Sequence, residues 1–429
     1  MSDKSLFDLY FDYVKDTEPP IIYHRWSLIT AVSAFLGRSY YFPFGTSKIY
    51  PNQYVMLIGN PGTRKSSAIK TSRKILAAAG YDKFAAERTT KEKFLLDLEG
   101  VTDENAYLNG GSGKKRDPTA RDVLANLSLT DGNDDHDGIA REVFVTADEF
   151  NEFAGSGNLD FLSMLGALWD WDDESNTYKH RFKNSKSISI YQPTISILGG
   201  NTHQSFQAAF PAAAIGQGFL SRLILVHSEP SGRKITFPQP PDEQVAVELM
   251  EKFHEIKLKV RGEAKRTPSA STALDAIYRT WTELEDYRFK SYSTRRFTHL
   301  LKLCLVVSAM RCSTTIDTPD VLLANSILTY TESGMSKALG EFGKSRHAEA
   351  THALMTALYE AKKPLTFEDL WKVVQRDLDK RDQLNDLLRN LSEAEKIQFV
   401  KTTGAFLPRQ RPVNGKALWV DMKLLKEMK

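Results

Sequence analysis

Lys65 and Ser66 follow two glycines at a spacing that suits one kind of chemistry, the gripping of phosphate groups. The run Gly59, Asn60, Pro61, Gly62, Thr63, Arg64, Lys65, Ser66 reads G-N-P-G-T-R-K-S, and Ser67 follows it. Gly59 and Gly62 carry no Cβ, so the backbone can turn tightly and aim successive N–H groups at phosphate oxygens. In the pattern G-x-x-x-x-G-K-[ST] the lysine reaches the β- and γ-phosphates and the hydroxyl ligates Mg²⁺. Here those roles fall to Lys65 and Ser66, which predicts a nucleotide site with Mg²⁺. The single departure is Arg64, which stands where the pattern has its second glycine.

A second set of groups lies about eighty residues further on, where VFVTADE runs from Val143 into Asp148 and Glu149. Asp148 at a strand's end can hold Mg²⁺ through water, while Glu149 can orient and polarise an attacking water as a general base. A strand followed by Asp-Glu is common by itself. After a phosphate loop it gains meaning, because both strands must end on the sheet edge where ligands bind in α/β folds. Asn201 and Thr202 close a third apolar run, PTISILGG. A polar side chain there can sense a γ-phosphate or position water, although Gly-Gly-Asn is also ordinary turn chemistry. Arg222 leads into LILV, and from spacing alone it reads as a surface arginine at a strand start. Lys179, Arg181, Lys183 and Lys186, with His180, surround an Asn-Ser turn in a hairpin-like segment. They suit contact with a nucleic-acid backbone, or pairing with Asp170, Asp172, Asp173 and Glu174 beside them.

The elements that must position these groups are legible as periodicities. Tyr54–Ile58 is an inner-strand run, Ser66 to Ala79 continues as a helix, and Gly80 stops it. A helix near Ile22 to Gly37 is expected to pack on the core, with His24 in a packing role. Residues 100–138 read as an insertion. Its carboxylates from Asp131 to Asp137 lack the terminal Glu of a Ca²⁺ loop and read as a solvated face. Beyond a Pro-rich linker at 230–241, helices are predicted over Thr298 to Met310, with Arg295 and Arg296 just before, and again after Pro319. From Ala348, three helices and two strands, near Ile397 to Lys401 and Leu418 to Val420, suggest a winged helix. Residues 396–429 hold eight Lys or Arg against two acids, which suits nucleic-acid phosphates, while winged helices also serve as protein contacts. The expected division is a helical segment over 1–48, an α/β core over 49–230, a helical lid or bundle over 242–345, and a winged-helix-like part over 348–429.

Composition narrows the classes. A chain of 429 residues with 41% hydrophobic content can build two or three packed cores. No stretch approaches the ~20 apolar residues of a membrane span, and the acidic start is unlike a secretory signal, so a cytoplasmic protein without membrane contact is expected. Cys304 and Cys312 support neither a disulfide framework nor a zinc site. A net charge of +3 leaves any DNA affinity to local patches.

Five segments in order, HRWSLITAVSAFLGR, YPNQYVMLIGNPGTRKSSAIK, VFVTADEF, PTISILGGNT and GFLSRLILV, resemble the phage- and plasmid-encoded P-loop ATPases related to replicative helicases and helicase-primases. The resemblance spans roughly residues 20–345. It implies an ASCE-type P-loop NTPase core, RecA-like or AAA+, using ATP and Mg²⁺. It also implies a homo-oligomeric ring or filament with ATP between subunits, a DNA substrate (single-stranded by preference), replication partner proteins, and a host-cytoplasmic setting if phage-encoded. In those relatives the G-F-L-x-R motif recurs, which turns Arg222 into an expected arginine finger acting on the adjacent subunit. An AAA+ lid would let Arg295 or Arg296 sense nucleotide. Three activities follow. A DNA helicase or translocase in replication or recombination is preferred, ahead of a helicase loader or recombination ATPase that switches without unwinding. A small-molecule kinase fits the Asp-Glu pair and the basic terminus poorly.

Overall fold

The computed structural model describes residues 4–100, 139–172, 176–181, 187–210, 218–340, 346–361, 363–378, 380–393, 396–400 and 404–408. The segment Asp131 to Asp137, together with Lys183, Lys186 and Leu418 to Val420, lies outside them. The chain divides into two compact units, one running to Gly340 and one over Glu341–Lys416.

The first unit is mixed α/β, organised on four parallel strands in the order Glu142–Ala147, Thr194–Asn201, Tyr54–Ile58, Leu223–His227. Every residue of Tyr54–Ile58 and of Thr194–Asn201 is buried, as strands covered on both faces require. In register, Ile58 lies beside Asn201 on one side and His227 on the other. The three runs therefore end together.

Gly199 and Gly200 show which helices cover which face. A Cβ on Gly199 would meet Met56 and Phe150, and one on Gly200 would meet Ile69 of the helix Lys65–Ala78, so the two faces carry different layers. The Phe150 face is filled by aromatic contacts among Phe150, Phe210, Phe206 and Phe219. The helix Ile21–Leu36 contacts all four strands of the sheet. That placement explains why it is apolar nearly all round, with His24, Arg25, Ser27, Thr30 and Ser33 buried as well. Two of its small polar side chains are satisfied locally, Thr30 and Ser33 donating to the Trp26 and Ile29 carbonyls.

One expectation changes here. The helical character of residues 1–48 ends at Leu36, and Tyr40–Phe44 pairs antiparallel with Ser47–Ile49 in a hairpin. The helices Lys290–Met310 and Thr318–Leu339 pack onto the sheet layer. Their Leu300, Leu303, Cys304, Val307, Val321 and Leu328 join one hydrophobic cluster with Trp26, Val32, Val55 and Ile224. The Trp26 indole also donates to Thr331 Oγ1 at 2.8 Å.

The second unit runs helix Arg346–Glu360, strand Leu365–Thr366, helices Phe367–Val374 and Arg381–Glu393, then strands Ile397–Val400 and Ala405–Pro408. The last two pair antiparallel, and Ala405–Pro408 also pairs with Leu365–Thr366. Ala405–Pro408 follows the Ile397 strand closely, with Gly404 at φ 61° in the turn between them, while the expected strand at Leu418 to Val420 lies outside the described residues. Leu354, Leu370, Val374, Leu384 and Ile397 form this unit's own core.

Candidate functional site

The carboxyl ends of three neighbouring strands deliver the loop 59–64, Asn201 and the pair Asp148 and Glu149 to one sheet edge. Gly59 opens the loop, and its N–H donates to the Asn201 carbonyl at 3.4 Å. Its need for glycine is steric, since a Cβ there would lie 2.5 Å from the Tyr23 hydroxyl and 2.9 Å from the Ser228 carbonyl. Tyr23 OH sits 2.8 Å from the Ile58 carbonyl and 3.1 Å from that of Ser228, so the buried helix braces the root of the loop. Gly62 needs glycine for a different reason, its φ of 84°. Thr63 closes the turn, donating its N–H and its hydroxyl to the Asn60 carbonyl.

Arg64 takes the left-handed conformation, φ 62° and ψ 27°, directly before the helix Lys65–Ala78. This is the glycine position of the usual pattern, and the backbone keeps the shape that glycine would give it. The Arg64 guanidinium reaches Glu18, with Nε 2.6 Å from Oε2. Pro61 and Ser67 are exposed, and Ser66 is half-buried in the first turn of the helix.

Lys65 is 7% exposed. Its ammonium donates to the Gly59 carbonyl at 2.8 Å, the Asn60 carbonyl at 3.1 Å and Thr63 Oγ1 at 3.1 Å. All three protons are thus spent inside the loop. Burial lowers its pKa from the ordinary lysine value, and the negative charge of nearby Glu149 opposes that shift.

Asp148 is partly exposed and pairs with Lys70 at 2.7 Å, one turn along the loop's helix. Its carbonyl oxygen lies where a Cβ on Gly200 would approach to 2.6 Å, so the acidic pair is seated directly against the Asn201 strand. Glu149 precedes the short helix Phe150–Ala154, and its Oε2 is buried without a hydrogen-bond partner. Asn201 is fully buried; its amide faces Met56 Sδ at 3.3 Å, and its Oδ1 also has no partner. Buried polar atoms are rarely left unmatched, so two of them at one strand edge mark a place built for further contacts. The oxygen donors gathered here, the Ser66 hydroxyl and the Asp148 carboxylate, are hard ligands of the kind Mg²⁺ takes.

Arg222 is not part of this assembly. It precedes Leu223, which pairs with Tyr54, so it lies at the amino ends of the strands, roughly 13 Å or more from the loop at about 3.3 Å per residue. There it donates to the Gly218 carbonyl at 2.8 Å and approaches Asp170 at 3.8 Å, with its Nε buried and unpartnered. Burial, then repulsion from Arg295, lowers its pKa. Arg295 shares the same carboxylate at 3.1 Å. Lys302, wholly buried nearby, donates to Asn52 Oδ1 at 2.6 Å and to the Tyr50 and Trp169 carbonyls. Burial pulls its pKa down to about 7.

The expected role of Arg296 as a nucleotide sensor fails on geometry. It is 2% exposed, pairs with Glu332 at 2.8 Å, donates to Asn325 Oδ1, and stacks over Trp281. Of the hairpin cations, Lys179 and Arg181 are exposed and make no ion pair among the described residues. Of their expected partners, Asp170 and Asp172 are engaged by Arg222 and Arg295 and by the Lys48 N–H, while Asp173 and Glu174 lie outside the described residues. Tyr23 and Glu18 were not foreseen; a lone Tyr on an apolar helix and a lone Glu before Pro19 carry no sequence signal.

No protein-family model matches the chain, and no curated protein sequence matches it.

Proposed function

We propose that this chain is an ATP-hydrolysing motor acting on DNA, a helicase or translocase of the replication and recombination class. The observation that carries the reading is convergence: the Lys65 loop, Asn201 and Glu149 meet at the carboxyl ends of adjacent parallel strands, with the Glu149 and Asn201 oxygens buried and unmatched. Binding of a triphosphate would exchange the internal bonds of Lys65 for phosphate oxygens, a substitution that costs little because the ammonium keeps its count of acceptors. Ser66 and Asp148 would hold Mg²⁺, which neutralises phosphate charge when bound. For Asp148 this requires release of Lys70, an exposed pair that is weakly held. Glu149, its Oε2 free to accept, would take the proton of the attacking water, and Asn201 would fix that water's position.

Arg222, at the far edge, can serve only a site on another copy, so hydrolysis by this route requires an assembled homo-oligomer. DNA contact is assigned to the exposed Lys179 and Arg181 of the hairpin. The helix, strand, helix, helix and paired-strand order of the second unit, winged-helix-like, offers a further DNA or partner contact.

Steady-state ATP hydrolysis with and without single-stranded DNA tests the reading, in wild type, Lys65→Ala, Glu149→Gln and Arg222→Ala. DNA-stimulated turnover that all three changes abolish, with ATP binding kept in Glu149→Gln, is the expected result. Turnover indifferent to DNA would replace the motor by an ATP switch that loads or assembles other proteins.

A further inference from the structure

Arg64 is the one residue of the loop whose backbone suits a different amino acid. At φ 62° and ψ 27° a side chain with a Cβ is disfavoured and glycine is not. Its side chain is more than half exposed and pairs with Glu18. Glu18, by contrast, is fixed. Its Oε1 accepts the Ile235 N–H at 3.0 Å, its carbonyl accepts the Ser231 hydroxyl, and Arg233 donates to the Lys15 carbonyl. Residues 15–18 and 231–235 therefore form a seam. By strand order it flanks the loop on the Leu223 side, opposite Asp148 and Glu149.

We propose that Arg64 is a second phosphate-reading cation, held in reserve by Glu18. When a nucleoside triphosphate fills the loop, the guanidinium leaves the carboxylate for the outer phosphate oxygens, and Glu18 sets how tightly the site binds. This rests on the nucleotide reading of the loop. A half-exposed pair is weak, whereas a triphosphate offers several anionic oxygens in the geometry a guanidinium prefers. Arg64 begins the helix whose first N–H groups point the same way, so its charge adds to a field already favourable to an anion. The pair also links the loop to the seam, so a filled site loosens residues 15–18 from the loop while leaving their bonds to 231–235 intact.

Calorimetric titration of ATP and of ADP into the full chain tests this, using wild type, Lys65→Ala, Arg64→Gly, Arg64→Lys, Glu18→Gln and the Arg64→Gly/Glu18→Gln double variant. Arg64→Gly is expected to weaken ATP about tenfold and ADP less, although it removes the backbone strain, with Arg64→Lys between. Glu18→Gln should tighten ATP by about threefold to tenfold, and have no effect on top of Arg64→Gly. A merely structural strap would move melting temperatures and leave the ATP-to-ADP ratio unchanged. If Arg64→Gly and Arg64→Lys bind ATP within about twofold of wild type while Lys65→Ala does not bind, the proposal is overturned and the nucleotide reading stands. If wild type and Lys65→Ala behave alike, the nucleotide reading falls and takes the Arg64 role with it.

Discussion

The two ends of the central sheet are built from the same four strands and treat charge in opposite ways. At the carboxyl ends, the charged groups are paired near the surface, as Lys70 and Asp148 are, bonded within a short loop, as Lys65 is, or left with an unmatched oxygen, as Glu149 is. At the amino ends, Lys302 and His299, both on the helix Lys290–Met310, are buried against Trp169 and tied to carbonyls from distant segments. The first arrangement can exchange partners at little cost. The second cannot, because each bond crosses between elements that would have to separate. Function should therefore be lost without instability at one end, and stability lost first at the other.

The strongest test of that contrast is Glu149→Gln, expected to slow ATP turnover by about 100-fold to 10,000-fold with the melting temperature unchanged, since the carboxylate oxygen it alters has no partner to lose. Lys302→Met should do the reverse, costing about 3 kcal/mol in urea unfolding by removing the donor to buried Asn52 Oδ1 and to the Tyr50 and Trp169 carbonyls. Gly200→Ala breaks the contrast deliberately. Its Cβ would press on the Asp148 carbonyl at 2.6 Å, so a stability loss of about 1–3 kcal/mol should come with a loss of turnover.

Acid offers a finer probe. Burial holds His24 down to about 4 and His299 to about 3, both below the ordinary 6.5. The unfolded chain takes up these protons first, so the stability they contribute is complete above pH 6.5 and drains as pH falls toward 4 and 3. The slope is up to about 1.4 kcal/mol per pH unit for each. Urea unfolding between pH 7 and 5 should show this, and His24→Gln should remove its share while leaving that of His299. The smallest effect is Arg64→Gly in ligand-free protein, a gain of about 0.5–1 kcal/mol from relief of the left-handed conformation.

What the sequence reveals divides along similar lines. The four sheet strands are continuous apolar runs, YVMLI above all, because both faces are covered and no alternation is needed. Lys65, Asp148, Glu149 and Asn201 are readable because chemistry ties them to the ends of such runs. The spatial order of the strands is not readable, since the Thr194 strand enters between two that precede it in sequence. Arg296 misleads for a related reason: its partner Glu332 is 2.8 Å away in space but lies on another helix, and spacing cannot pair them. The strand Ala405–Pro408 escapes a sequence reading because AFLP, with its proline, looks like part of a loop.

The helix Ile21–Leu36 has a consequence for how the chain is made. It lies against every strand of the sheet, and its Trp26 waits for Thr331, some three hundred residues later on the ribosome. Closing so long a loop is slow, and until it closes an almost wholly apolar helix has nowhere to hide. The nascent protein should thus lean on chaperones for most of its synthesis, and a fragment trimmed to the motif-bearing stretch from residue 49 to 230 would lack the surface on which its sheet folds.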